Sequence, residues 1–169
     1  MTRTLCGTPD FLAPECLLSK GHNEGADYWA LGVLVFEMLS GDSPFAVDDG
    51  DQVKIFKRIL NSDKTLVFPA EVQEESPRAV ELVRGLLQKR LSDRLGCRRA
   101  GVAEILEHAW FDPIDWDRLL KKKIEAPWVP KLESEDDTQF FDDYSDDEDE
   151  DEEEERLQPG TDLDWCKEF

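Results

Sequence analysis

The sequence predicts a mainly α fold that ends in an extended, largely disordered acidic tail. Three observations predict it. Residues 27–40 are apolar on nearly every side, as suits a helix in the middle of a protein, since a surface helix keeps one polar face. Two further stretches, 51–60 and 76–87, carry apolar residues at helical spacing, and no segment alternates convincingly as a strand would. The charge is also uneven. Residues 1–131 hold 18 Lys+Arg against 21 Asp+Glu, whereas residues 132–169 hold 2 against 19, so that −17 of the net −20 lies in the last part. A segment that charged and that poor in apolar residues cannot build a core.

Taken in order, residues 2–15 contain Gly7, Pro9 and Pro14, a density that reads as loop. Asp27 is placed to cap the helix that follows, and Gly41 fits just past its end. In 51–60 the apolar face is Val53, Phe56, Ile59 and Leu60. Ser76-Pro77 gives a helix start, a capping serine followed by proline at the first helical position. Val80, Val83 and Leu87, with Leu82 and Leu86, form its inward face. A short helix is expected from about Val102 to His108, with Val102, Ile105 and Leu106 inward. Near Pro127 and Pro130 the pattern fades. From Asp146 to Glu155 every residue is acidic, and such a block repels itself and stays extended.

Several function classes are excluded at this level. Four cysteines without C-x-x-C spacing and only two histidines give no zinc pattern. No apolar run is long enough to span a bilayer and no signal segment follows Met1. The acidity argues against nucleic acid or an anionic membrane surface as the main partner. A reducing cytoplasmic setting is expected, with the nucleus as the alternative and the thiols free.

Five motifs remain. They are Thr4-Leu-Cys-Gly-Thr-Pro-Asp-Phe-Leu-Ala-Pro-Glu15, Asp27-Tyr-Trp-Ala-Leu-Gly32, Ser92-Asp-Arg-Leu-Gly96, His108-Ala-Trp-Phe111, and Phe141-Asp-Asp-Tyr144 with the terminal pair Trp165 and Phe169. In this order and spacing they resemble serine/threonine protein kinases of the AGC type, in the branch that contains the cyclic-AMP- and cyclic-GMP-dependent enzymes. The likeness runs from the activation segment through the helical C-lobe to the C-terminal tail. The resemblance implies the helical C-lobe portion of the kinase fold over 1–111 and the tail over 112–169.

What the resemblance implies for single residues follows. Thr4 matches the activation-loop phosphorylation site, where a phosphate adds about −1.5 to −2 charges and can order a loop by pairing with arginine. Thr8 matches a threonine that supports the catalytic groups. Leu5 and Leu12 match the lining of the pocket for the residue after the phosphoacceptor, and Phe11 stands where close relatives carry tyrosine. Glu37 matches the glutamate that binds a substrate arginine. A carboxylate on an apolar helix is costly unless paired, which independently suggests that Glu37 faces a cleft and awaits a cation. Glu15 and Arg94 match a buried structural ion pair. Phe141 and Tyr144 match the tail segment that reaches the ATP site, and Trp165 and Phe169 match the hydrophobic motif that docks on the small lobe.

The implied parent transfers the ATP γ-phosphate, with Mg²⁺, to Ser or Thr of basic protein substrates. Its small lobe, and a regulatory subunit or domain, are the implied partners. Phosphoryl transfer also needs a glycine-rich loop, a lysine, magnesium ligands and a base. None of G-x-G-x-x-G, V-A-I-K, H-R-D or D-F-G occurs in the 169 residues. The chain is therefore expected to bind no ATP or metal alone and to be inactive alone, as a gene or transcript shortened at its start would be. Two rival readings are a non-catalytic module that holds substrates or partners, and an acidic scaffold that captures basic proteins through 136–155. Without the earlier helices of the lobe, an apolar flank of the 27–40 helix should be exposed and stability marginal.

Overall fold

The computed structural model describes residues 6–134 and 136–141. Among them there is no β-strand. In chain order the helices are α1 (Pro14–Leu17), α2 (Gly25–Ser40), α3 (Gln52–Leu60), α4 (Ser62–Thr65), α5 (Ala70–Glu75), α6 (Pro77–Leu86), α7 (Ala103–Leu106) and α8 (Trp116–Leu120), with 3₁₀ turns at Pro9–Phe11 and Ala109–Phe111. None of them is long and apolar enough to cross a membrane. The segment expected to be plain loop, 2–15, thus contains a 3₁₀ turn and the start of α1 in its described part. The acidic run Asp146–Glu155 lies outside the described residues.

α2 organises the first unit, which runs to Ile124. It packs mainly against α6. Trp29, Val33, Val35 and Phe36 are buried on it. They meet Phe45, Ile55, Ile59, Phe68, Val80, Val83 and Leu87 in one core, while Leu82, Leu86, Leu95 and Ile105 form a second cluster on the other side of α6. Each fully buried apolar side chain of this size contributes roughly 1.5–3 kcal/mol. Two aromatic pairs lock the first core: Trp29 stacks on Phe45 at 5.6 Å, and Phe36 meets Phe68 at 5.0 Å. Gly41, in the left-handed region, donates its N–H to the Glu37 carbonyl at 2.8 Å and closes α2.

Four details depart from the periodicity reading. Asp27 is not the cap of α2. The helix starts two residues earlier, after Glu24 with no side-chain cap, and Asp27 sits in the first turn, where the helix dipole favours a carboxylate. α2 is also not buried all round: Leu34 is 45% and Met38 73% exposed. This is the exposed apolar flank expected of the helix. On α3 the buried residues are Ile55 and Ile59, while Val53 is exposed. On α7 only Ile105 is buried, and Val102 and Leu106 are exposed. Spacing finds a helix, but its rotation is fixed by what packs against it. For α3 that includes Arg58, which donates to the Ala46 and Pro44 carbonyls at 2.6 and 3.2 Å and ties the preceding loop down.

Asp51 starts α3, its carboxylate accepting the Val53 N–H at 2.8 Å. Asp51→Ala is expected to cost about 1 kcal/mol, read as a lower urea midpoint with an unchanged slope. Ser76 precedes α6 as expected, but its hydroxyl makes no capping bond.

The second unit begins at Glu125. Within it, Trp128 meets Phe140 edge-on at 5.7 Å. Asp137 accepts the backbone N–H groups of Glu133 and Gln139 at 2.7 and 2.9 Å, and the Gln139 amide donates to the Lys131 carbonyl at 3.0 Å. This ties a short loop around the aromatic pair.

Candidate functional site

The candidate site is built on the segment before α2. Pro9 and Pro14 each open a helical turn at a position where their missing N–H costs nothing. Thr8 leads into the first turn with its carbonyl accepting the Phe11 N–H at 3.1 Å, and its side chain makes no cap bond. The turn Pro9–Phe11 packs against α2 and α3. Ala13, Pro14 and Glu15 are buried beneath it.

Glu15 holds the segment in place. Arg94, fully buried, donates through its two terminal nitrogens to the two oxygens of the Glu15 carboxylate at 2.6 and 2.9 Å. The same guanidinium donates to the Gly25 carbonyl at 2.7 Å, at the first residue of α2, and through Nε to the Gln88 carbonyl at 2.9 Å. Its carbon lies 5.2 Å from the centre of the Trp29 ring. One side chain thus joins the loop, the start of α2, the turn after α6 and the core tryptophan. A planar fork that matches a carboxylate in two bonds suits arginine and not lysine. The structure therefore brings together the two residues expected to pair. The motif reading missed the other partners, the Gly25 and Gln88 carbonyls. Backbone acceptors leave no mark in a sequence.

Above this anchor lies a cleft of about 220 Å³, lined by Cys6, Gly7, Thr8, Phe11, Leu12, Ala13 and Cys16 on one side and by His22, Ala26, Asp27 and Ala30 on the other. Thr8 is exposed and Leu12 half-buried. Asp27, read from the sequence as a cap and as the first residue of the Asp27–Gly32 motif, lines this cleft. Burial, and secondarily the charge of neighbouring Glu15, push the Cys16 thiol up, so it is not a ready nucleophile at neutral pH. Burial also raises the Cys97 thiol.

Glu37 is half-buried and lies seven residues beyond Ala30 on α2, which puts it on nearly the same helix line, about 10 Å further along. Among the described residues no Lys or Arg lies within salt-bridge distance of its carboxylate. Phe141 is 76% exposed in the second unit. Thr4, Leu5, Tyr144, Trp165 and Phe169 lie outside the described residues. Among the described residues no three His, Cys, Asp or Glu side chains gather as metal ligands.

Comparison with known proteins adds the family. The protein kinase domain model matches residues 1–111. The cAMP-dependent protein kinase catalytic subunit of Arthrobotrys oligospora is 43% identical over 148 residues, 87% of this chain and 27% of the relative. A cAMP-dependent protein kinase catalytic subunit-like protein of Caenorhabditis elegans is 40% identical over 146 residues, 86% of this chain and 35% of the relative. The cGMP-dependent protein kinase isozyme 2, forms cD5/T2, of Drosophila melanogaster is 38% identical over 168 residues, 99% of this chain and 17% of the relative. The chain thus spans about a third or less of the length of these relatives, and the cGMP-dependent match extends furthest into its acidic tail.

Proposed function

This chain belongs to the protein kinase family, and from that premise we propose that it is the substrate-side part of a serine/threonine kinase, holding a basic protein substrate while another part of the enzyme supplies ATP, Mg²⁺ and the base. The observation that carries the reading is the Arg94 fork on Glu15. It fixes a loop with Thr8 and Leu12 against α2 and leaves an open cleft there. A substrate backbone lying in that cleft would bring its apolar residue to Leu12 and its arginine along α2 to Glu37, and Leu5 would share the role of Leu12. A half-buried carboxylate with no cation in reach among the described residues is the group that such an arginine satisfies. Thr8 would support the catalytic groups, and Thr4 would be the regulatory phosphorylation site. Phe141 and Tyr144 would close over the nucleotide, and Trp165 and Phe169 would dock on the small lobe. A regulatory subunit or domain would compete for the cleft, and the cytoplasm is the setting that goes with this reading.

The sequence motifs that cradle ATP and Mg²⁺ in a kinase, G-x-G-x-x-G, V-A-I-K, H-R-D and D-F-G, are not among the 169 residues. No transfer step is therefore assigned to this chain. The test is calorimetric titration of the chain with a peptide carrying arginines before a serine and an apolar residue after it, beside an ATP–Mg²⁺ assay. Binding without turnover is expected. Glu37→Gln should weaken binding about tenfold, equivalent to about 1.4 kcal/mol. Equal affinity in that variant refutes the role of Glu37. Loss of all binding on replacing residues 136–155 with Gly/Ser assigns the capture of basic peptides to the acidic run instead.

A further inference from the structure

A second cavity, of about 450 Å³, lies where α4 meets the end of α6 and the loop that follows it. Its charge is the reverse of the chain's. Arg84, Lys89 and Arg90 line it, against the carboxylates of Asp63 and Asp93. Arg98 adjoins it, donating to the Asp93 backbone carbonyl at 3.0 and 2.7 Å. Three cations against two carboxylates in the lining, with Arg98 beside it, is a local excess of positive charge in a chain whose net charge is −20.

The donors around this cavity are largely unspent. The Arg84 guanidinium lies over the Phe68 ring at 5.0 Å and makes no hydrogen bond among the described residues. Arg90 reaches Asp93 only at 3.7 Å, with its side chain 81% exposed. Lys89 donates one N–H to the Leu60 carbonyl, and an ammonium has three. The wall also holds Ser62, whose buried hydroxyl has no partner among the described residues. Cations in excess of the carboxylates beside them repel one another, and an incoming run of carboxylates relieves that repulsion while taking up unspent N–H groups.

We propose that this cavity is a docking site for an acidic peptide segment of a partner protein. It stands apart from the cleft over Arg94 and takes ligands of opposite charge, so its failure and that of the substrate reading are separately visible. A planar guanidinium meets a carboxylate in two parallel bonds, so Arg84 and Arg90 carry recognition and Lys89 adds charge.

The probe is a fluorescein-labelled peptide of ten glutamates, followed by anisotropy with the full chain at low salt. Binding is expected in the parent and should weaken as salt rises, because the contacts lie near solvent. Arg90→Glu, at an exposed position that leaves the fold intact, should weaken it about tenfold. Arg84→Gln should weaken it about fivefold, with the thermal melt recorded as a check on its packing against Phe68. Lys121→Glu, outside the cavity, should change it less than twofold. A chain with residues 146–155 replaced by Gly/Ser separates the partner from the chain's own acidic run. Binding in both backgrounds with the same loss on Arg90→Glu supports the proposal. Binding that appears only after the replacement assigns the cavity to the chain's own run and overturns it. No binding in either background, or equal losses for Arg90→Glu and Lys121→Glu, also overturns it.

Discussion

Arg94→Ala is expected to cost about 3–5 kcal/mol, because it leaves the Glu15 carboxylate buried without its cation. The figure is large against the 5–15 kcal/mol that holds a typical domain together. It corresponds to a fall in melting temperature on the order of 10–20 °C. The pair by itself is weak ground for stability, since taking two charges out of water offsets much of their attraction. The loss comes from the asymmetry of removing one partner. Three carbonyl and carboxylate sites besides the first Glu15 oxygen lose a donor at once, at Glu15, Gly25 and Gln88. Arg94→Lys should fall between parent and alanine, keeping the charge but losing the fork. Glu15→Gln should cost less than Arg94→Ala, because the amide oxygen still accepts. The measurement is a thermal melt followed by circular dichroism, and an unchanged midpoint for Arg94→Ala rejects the pair as a fold determinant. The loop and its cleft should respond together. Basic-peptide binding that survives intact while the melt collapses would separate the cleft from its anchor.

Much of this was legible in the sequence. α2 announces itself by apolar residues too dense for a surface, and α6 by its Ser76-Pro77 start and an apolar face at helical spacing. The Glu15–Arg94 partnership is visible as two motifs, although 79 residues separate them along the chain. Three kinds of feature were not legible. α4, α5 and α8 have four to six residues each, one turn or slightly more, and a single turn shows no period. The rotation of α3 was misjudged because Val53 and Ile55 are both apolar on a short helix, and only contacts remote in sequence select Ile55. The surroundings of Arg94 were half visible: its carboxylate partner is a side chain, whereas its other acceptors are carbonyls that any residue carries. Asp27 shows the same limit from another side. Its residue type suits a cap, but helix entry is decided by backbone geometry at Glu24, leaving Asp27 free to face the cleft.

Gly96→Ala is expected to destabilise by about 2–5 kcal/mol from two additive sources. The backbone there has φ +85°, and a side chain in the left-handed region costs roughly 1–2 kcal/mol. A Cβ would also fall 2.7 Å from the Ile105 Cδ1 atom and 2.8 Å from the Tyr28 ring, and overpacking of this kind costs about 1–3 kcal/mol. Ile105 belongs to the second core cluster, and Tyr28 packs against that cluster from α2. The Gly96 N–H meanwhile donates to the Glu104 carboxylate at 3.2 Å, so the loop cannot back away without giving up that bond. The two sources can be told apart. Ile105→Val removes the methyl group nearest the new Cβ, at its own cost of about 0.5–1.5 kcal/mol. The double variant should then lose less than the sum of the single variants. Additivity within about 0.5 kcal/mol would rule out crowding against Ile105 and leave backbone strain and the Tyr28 contact. A parent-like melt for Gly96→Ala would contradict both. Because Arg94 lies two residues before Gly96, a displaced loop pulls the guanidinium from Glu15, and the cleft should loosen in proportion to the stability lost.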